Sequence, residues 1–292
     1  MTRPSAENNY VPLIGIQEFR KGQLAGRDEL LFNELHGERH IDKPHQHDFF
    51  IIMLFEKARG IHTIDFLDYQ IEDRQIHVLF PGQVHRWDIG PETIGYQLMM
   101  DRVFFERFAP YFRFSFTNYI NHPVIPLTDD GFRLLRYEFE AIRDELNTGS
   151  SLIDLISARA AVIAAIVSKE AENLFADFKV YQSNPRLARF SMLIERHFKE
   201  EKLVTFYASE LNLSANYLNI LCKRNLGVPA TQLIQQRVLL EAKRLLQSTD
   251  LSIKEIAFEL GFVDHAYFSN FFKSQTSVTP TEFRGGRRTP DN

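Results

Sequence analysis

Tyr217 to Lys223 reads YLNILCK, and Tyr267 to Lys273 reads YFSNFFK. The two stretches align at an offset of 50 residues, with Tyr, a large apolar residue, two intermediate positions, two apolar-type positions and Lys in the same order. Upstream, Val204 to Leu211 pairs with Ile253 to Leu260, and Ala208 corresponds to Ala257. Each copy predicts a short helix, a turn and a second helix, which is the helix-turn-helix layout. The turns are Asn212-Leu213-Ser214 and Gly261-Phe262-Val263. Ala208 and Ala257 supply the small side chain needed where the second helix crosses the first. Leu213 and Phe262 plug the turns, and Gly261 suits the positive φ of a sharp turn. Ser214 and Asp264 are expected to cap the second helices. Those helices bury Leu218, Leu221 and Cys222 in one copy and Phe268, Phe271 and Phe272 in the other. Their opposite faces stay polar and suit a DNA major groove. Thr231 to Leu246 forms one amphipathic helix that fixes the spacing of the two units.

Outward from this repeat the charge changes sign. From Pro185 to the end the chain holds 15 Lys+Arg against 11 Asp+Glu, whereas 1–184 hold 19 against 27. A mildly basic third on an acidic body suggests a polyanion-binding module joined to something else. The whole chain of 292 residues is 44% hydrophobic and 25% charged. Those values exclude a disordered tail, a collagen-like rod and a disulfide scaffold. The single cysteine, Cys222, is compatible with a reducing, cytoplasmic setting. No apolar run approaches the ~18 residues of a membrane span, and Met1 to Tyr10 has no apolar signal core.

Between about Val11 and Thr128, short apolar runs alternate with turn residues. Phe49 to Phe55, Gly60 to Phe66 and Ile76 to Phe80 read as strands, with Pro81-Gly82 and Gly90-Pro91 as turns. The aromatics Phe104, Phe105, Phe108, Tyr111, Phe112, Phe114, Phe116 and Tyr119 read as a helix and turn packed on a sheet. Phe132, Leu135, Phe139, Ile142 and Leu146 form one helical stripe, started by Thr128 or Asp129 and ended by Gly149. A second helix opens at Ser150 or Ser151 and is apolar on several sides around Ala160 to Val167. Such a helix must bury those sides against its own chain or a partner. Val180 to Pro185 is polar, aperiodic and proline-ended, and reads as a linker.

The segment Val204 to Arg284 resembles the DNA-binding domain of the AraC/XylS family of bacterial transcription regulators. The resemblance rests on Ile256-Ala257, Gly261-Phe262, Tyr267-Phe268-Ser269, Phe271-Phe272-Lys273, Thr279-Pro280 and Phe283-Arg284. Arg237, Ala242 and Leu245-Leu246 extend it into the linking helix. It implies that Asn216, Asn219 and Ile220 from the first unit face bases, as do His265, Ala266, Ser269 and Asn270 from the second. Lys223 and Lys273 would contact DNA beside them. Lys223, Arg224, Arg237, Lys243, Arg244, Lys273, Arg284, Arg287 and Arg288 are phosphate candidates. Ile220 and Asn270 stand where the family often has arginine, and Ser277 where it often has glycine. Loss of two arginines removes the commonest guanine contact and biases readout toward adenine and thymine.

His45, His47 and His85 stand near strand ends. Two histidines one residue apart on a strand share a face, and three are able to bind a transition metal. The layout resembles the cupin barrel, but the carboxylate that usually follows the histidine pair by about four residues is absent. Cupin-like sensor domains of AraC-type regulators commonly bind small organic effectors without metal. The expectation is therefore no cofactor, with His45, His47, Phe49, His85, Trp87 and Tyr96 lining an effector pocket and Arg86 beside them. If a metal binds, the three histidines hold it.

The expected fold is α+β and multidomain: a cupin-like β-barrel with a helical hairpin, then an all-α domain of two helix-turn-helix units joined by a linking helix. The expected boundaries are 1–128 for the effector-sensing domain, 129–179 for a dimerising hairpin, 180–186 for a linker and 187–292 for the DNA-binding domain. The expected function is a cytoplasmic, sequence-specific DNA-binding regulator and not an enzyme. Its partners are double-stranded DNA, a small-molecule effector, a second copy through 129–179, and RNA polymerase. The rival readings are a metal-dependent cupin enzyme with a DNA-binding tail, and a protein-interaction scaffold.

Overall fold

The computed structural model describes residues 13–17, 26–27, 29–113, 116–148 and 150–285. They fall into two compact units, Leu13–Ser191 and the residues from Met192 onward.

The first unit is built on two sheets. One has the order β1 (Leu13–Ile14), β4 (Arg39–His47), β9 (His85–Ile89), β6 (Gly60–Ile64), β7 (Leu67–Ile71). The other has the order β11 (Val124–Pro126), β8 (Gln75–Leu79), β5 (Phe50–Lys57), β10 (Ile94–Met100), β3 (Leu30–His36), β2 (Gly26–Arg27). The expected barrel is thus two separate sheets among the described residues, and no closed barrel forms. The apolar run of β5 follows from its central place. Ile52 and Leu54 join a core shared with the helices, while Ile51, Met53 and Phe55 join the core between the sheets. A strand buried on both faces has no polar side to present. The strand expected over Gly60 to Phe66 stops at Ile64, because Asp65 and Phe66 take positive φ values of 47° and 74° and turn the chain into β7.

Helices cover the outer face of the six-stranded sheet. Asp101 caps α1 (Arg102–Phe108), whose Phe104, Phe105 and Phe108 are buried with Phe112 and Tyr119. Phe114 and the side chain of Phe116 lie outside the described residues. After α2 (Phe116–Asn121), α3 (Asp129–Leu146) starts at its expected cap, Thr128, whose hydroxyl accepts from the Gly131 N–H. Buried Glu170 secures the same turn by accepting from Thr128 N at 2.8 Å and Oγ1 at 3.1 Å. The expected stop, Gly149, lies outside the described residues, and the helix closes on Asn147. The second helix, α4 (Ile153–Leu174), does not open on Ser150 or Ser151. Leu152 stands at its N-cap position, and its N–H donates to Glu145 Oε1 at 2.7 Å. Ile156, Ala160, Ile163, Ala164, Val167 and Ala171 of α4 are fully buried in this unit's own core.

The stretch expected as a linker is helical. α5 (Ala176–Ser183) buries Phe178, and after Asn184 the next helix, α6 (Pro185–His197), begins on the proline itself. Proline lacks only an N–H that the first helical turn leaves unused, so it starts a helix as readily as it ends one.

The second unit holds α7 (Val204–Glu210), α8 (Ala215–Leu226), α9 (Ala230–Ser248), α10 (Ile253–Glu259), α11 (His265–Thr276) and α12 (Pro280–Arg284). α7–α8 and α10–α11 are the two expected units, and α9 packs against both. Ala208 and Ala257 are buried at the crossings, Phe262 is a buried plug, and Leu213 is half-buried. Gly261 has φ +70°, and a Cβ there would lie 2.0 Å from the Lys199 carbonyl oxygen, so the position excludes every side chain. Its counterpart Asn212 adopts φ 53°. Among the described residues no helix is long and apolar enough to cross a membrane.

Candidate functional site

The second helix of each unit is held by its own cap. Ser214 Oγ accepts from Tyr217 N at 3.2 Å, and Asp264 Oδ1 accepts from Ala266 N at 3.0 Å. These caps fix the direction in which each helix start points. α8 buries Leu218 and Cys222 and exposes Asn216, Ile220 and Lys223. Burial pushes the Cys222 thiol up to about 12, so it is an inert core group rather than a nucleophile. α11 buries Phe268 and Phe272 and exposes His265, Ala266, Asn270 and Lys273. Both helices end on a left-handed residue, Gly227 at φ 79° and Ser277 at φ 64°. Ser277 therefore adopts the glycine conformation without being glycine.

Two expected base-facing residues are engaged within the protein. Asn219 Oδ1 accepts from Thr231 N at 3.1 Å and from Thr231 Oγ1 at 3.2 Å, which satisfies the start of α9. Ser269, its counterpart, donates to the His265 carbonyl at 2.9 Å. Tyr217 and Tyr267 are 44% and 66% exposed, so the tyrosines that mark the repeat belong to the outer face rather than the core. Their identical place in both copies was the available signal.

The expected phosphate contacts divide in the same way. Lys223, Arg224 and Lys273 are exposed. Arg237 is clamped by Glu195 at 2.9 Å and Glu241 at 2.9 Å and lies over Phe198. Arg244 is buried beside Glu241. Arg284 donates to the carbonyls of Leu246 and Leu251. Lys243 lies against Phe283, and burial lowers its ammonium below the usual range. These four hold the helices together and are poor candidates for DNA, while Arg287 and Arg288 lie outside the described residues.

In the first unit the sheet register assembles a buried histidine cluster. His45 and His47 project from the same face of β4, and His85 on β9 pairs directly with His45. All three are 3–4% exposed, and one ring nitrogen from each lies within 4.8 Å of the others. Two further histidines continue the cluster inward. His62 on β6 places Nε2 2.9 Å from His85 Nδ1 and Nδ1 2.9 Å from His77 Nδ1 on β8. His77 Nε2 then meets Gln75 Oε1 at 3.2 Å. Sequence reading missed His62 and His77, because each stands alone in an apolar strand and only sheet pairing joins them. Burial holds all five below the ordinary histidine range, His47 and His77 down to about 3, so the rings are neutral.

Phe49 stacks near His47 at 4.4 Å between centroids, and Trp87 lies 5.8 Å from His62. Tyr96 is not brought to this place. It sits in the core between the six-stranded sheet and the helices, beside Phe32 and Phe139, and donates to Glu140. Arg86 alternates with His85 and Trp87 along β9 and so points to the other side.

A family model for a helix-turn-helix domain matches residues 207–286. The transcriptional activator RhaS from Enterobacter sp. (strain 638) is 25% identical over 83% of this chain and 87% of its own length. The chain is thus similar over most of its length to a transcriptional activator, and its helix-turn-helix match lies in the second unit. The HTH-type transcriptional regulator YfiF from Bacillus subtilis is 33% identical over 36% of this chain and 33% of its own length. Among solved structures, ToxT from Vibrio cholerae O395 is 15% identical, covering 88% of this chain and 98% of that one at a TM-score of 0.43. RhaS and YfiF are transcriptional regulators by name.

Proposed function

We propose that this regulator binds specific double-stranded DNA through the exposed faces of α8 and α11, under the control of a small effector held between the two sheets of its first unit. The observation that carries the reading is the duplicated unit with capped, outward-facing second helices. In both copies the buried side is apolar while the outer side offers hydrogen-bonding groups and a lysine. Phosphate contacts from Lys223, Arg224 and Lys273 supply affinity, and Asn216, Ile220, His265, Ala266 and Asn270 supply readout. A protein scaffold would not require both second helices to present such a face. The ligand acts by binding two states of the protein with different affinity, since only that difference moves an equilibrium.

Dimerisation through 129–179 belongs to the same reading. α3 leaves Leu134 and Tyr137 exposed, as are Leu152 at the N-cap position of α4 and Leu155, Val162 and Leu174 on it. An intracellular setting and contact with RNA polymerase accompany it. The test is genomic footprinting with the purified chain, with and without candidate small molecules. Discrete protected sites whose occupancy changes with one compound are expected. Binding without sequence preference, or no binding, overturns the reading.

A further inference from the structure

The guanidinium groups of this chain are not treated alike along its length. From Arg39 to Arg159 every described arginine except Arg86 lies against a carboxylate or a carbonyl oxygen. The pattern stops on α6. Arg186, Arg189 and Arg196 are exposed there and meet neither kind of oxygen among the described residues. The next arginine, Arg224 on α8, is in the same state and is already a phosphate candidate.

The three arginines of α6 share one face. Steps of three and seven residues keep side chains on one side of a helix, while Leu187, Phe190, Ser191 and Ile194 are buried on the other side. Exposed Met192 lies among the arginines. The helix has one acid, Glu195, and Arg237 holds it at 2.9 Å. No acid occupies the first turn, where Arg186 instead sets a cation at the positive end of the helix dipole. Like charges one turn apart also repel. Such a row costs the free helix stability and gains nothing within the chain, whereas a bound polyanion reverses the sign of each of these effects.

We infer that this face of α6 binds phosphates of the DNA backbone, as a contact additional to the two helix-turn-helix units. It rests on the reading that the chain binds double-stranded DNA, and it adds a surface outside the helix-turn-helix match at 207–286. The guanidinium fork fits phosphate oxygens in pairs and stays charged at any working pH. Arg189 and Arg196 stand ~10 Å apart along the helix axis, the span of about three phosphates of one strand. Phosphate contacts position a protein and carry no sequence information. The row therefore supplies affinity, and the faces of α8 and α11 supply readout.

The test measures binding of the full chain to two duplexes, one of random sequence and one carrying a site recovered by footprinting. Fluorescence anisotropy over a range of salt gives the slope of log affinity against log salt, and a circular-dichroism melt accompanies each variant. Each phosphate contact contributes about 0.9 to that slope. Joint Arg189→Gln and Arg196→Gln should reduce the slope by ~2 and the affinity at ~0.15 M salt by at least ~10-fold, equally on both duplexes. Joint Arg189→Lys and Arg196→Lys, which keeps both charges, should preserve the slope. Arg186→Glu, which places an acid in the first turn, should weaken DNA binding without lowering the melting temperature. That opposition separates a lost contact from a lost fold. An unchanged slope and affinity in the folded glutamine variant overturns the phosphate contact and leaves the helix-turn-helix reading standing. A loss confined to the footprinted site also overturns it, since that is the signature of base reading. Failure of the wild-type chain to bind either duplex overturns the DNA-binding reading itself.

Discussion

The histidine cluster of the first unit and the recognition faces of the second both consist of polar side chains, yet physics treats them oppositely. On α8 and α11 Asn216, Lys223, His265, Asn270 and Lys273 are exposed, so each substitution at these positions is nearly independent of its neighbours. Between the sheets His45, His47, His62, His77 and His85 are buried together, and along His77, His62 and His85 each proton position constrains the next. A solvated face is tuned one residue at a time, whereas a buried polar chain stands or fails as a unit.

The largest expected contrast between the regions is with pH. All five buried histidines have folded-state values lowered by desolvation. Below the unfolded value of about 6.5 the unfolded chain binds protons that the native cluster refuses, so stability falls as pH falls. The loss begins near pH 6.5 and continues toward about 3, where His47 and His77 titrate. Each histidine adds a slope of up to about 1.4 kcal/mol per pH unit. Denaturant melts of the chain at about pH 7.5 and about pH 5.5 should differ by several kcal/mol in the first unit and little in the second. Equal losses in both units would erase the contrast.

Next in size is the packing beneath the recognition faces. Phe272→Ala should cost about 3–5 kcal/mol through cavity formation, whereas Cys222→Ala, at the matching position of the first copy, should cost about 1 kcal/mol for its smaller side chain. Urea midpoints of the two variants measure this directly, and equal effects would show that the copies share one core environment. On the outer face, Asn270→Glu should lower DNA affinity at least ~10-fold, or ~1.4 kcal/mol, by setting a carboxylate against phosphate, while leaving the melting temperature unchanged. A gel shift and a melt check both halves of that statement. The smallest contrast separates the two copies: Asn219→Ala should cost about 0.5–2 kcal/mol of stability by uncapping α9, and Ser269→Ala less than ~0.5 kcal/mol. Matching losses at the two positions would mean that the cap contributes nothing.

Much of the second unit was legible because its signals are local. Caps, turn glycine, small crossing residues and apolar stripes all act within a few residues of one another, and the repeat shows each of them twice. Where that reading went astray, a side chain had reached across elements. Asn219 caps α9, and Arg237, Lys243, Arg244 and Arg284 are spent on carboxylates, carbonyls and rings. Tyr96 was grouped with the histidines, yet strand alternation and sheet order send it to the helix-covered core. The proline at 185 began a helix because α6 had apolar residues to bury, a fact of packing rather than of punctuation.

By itself the sequence determined that two helix-turn-helix units exist, which sides of their helices are apolar, and that His45 and His47 share a face, since all of this follows from local backbone periodicity. Only the tertiary structure decided that β4, β6, β8 and β9 bring five histidines into one buried cluster, three of them, His85, His62 and His77, linked in a hydrogen-bonded chain that ends on Gln75. Strand pairing over long sequence separations leaves no periodic mark on the residues it joins, so that arrangement emerges only when the sheets are assembled.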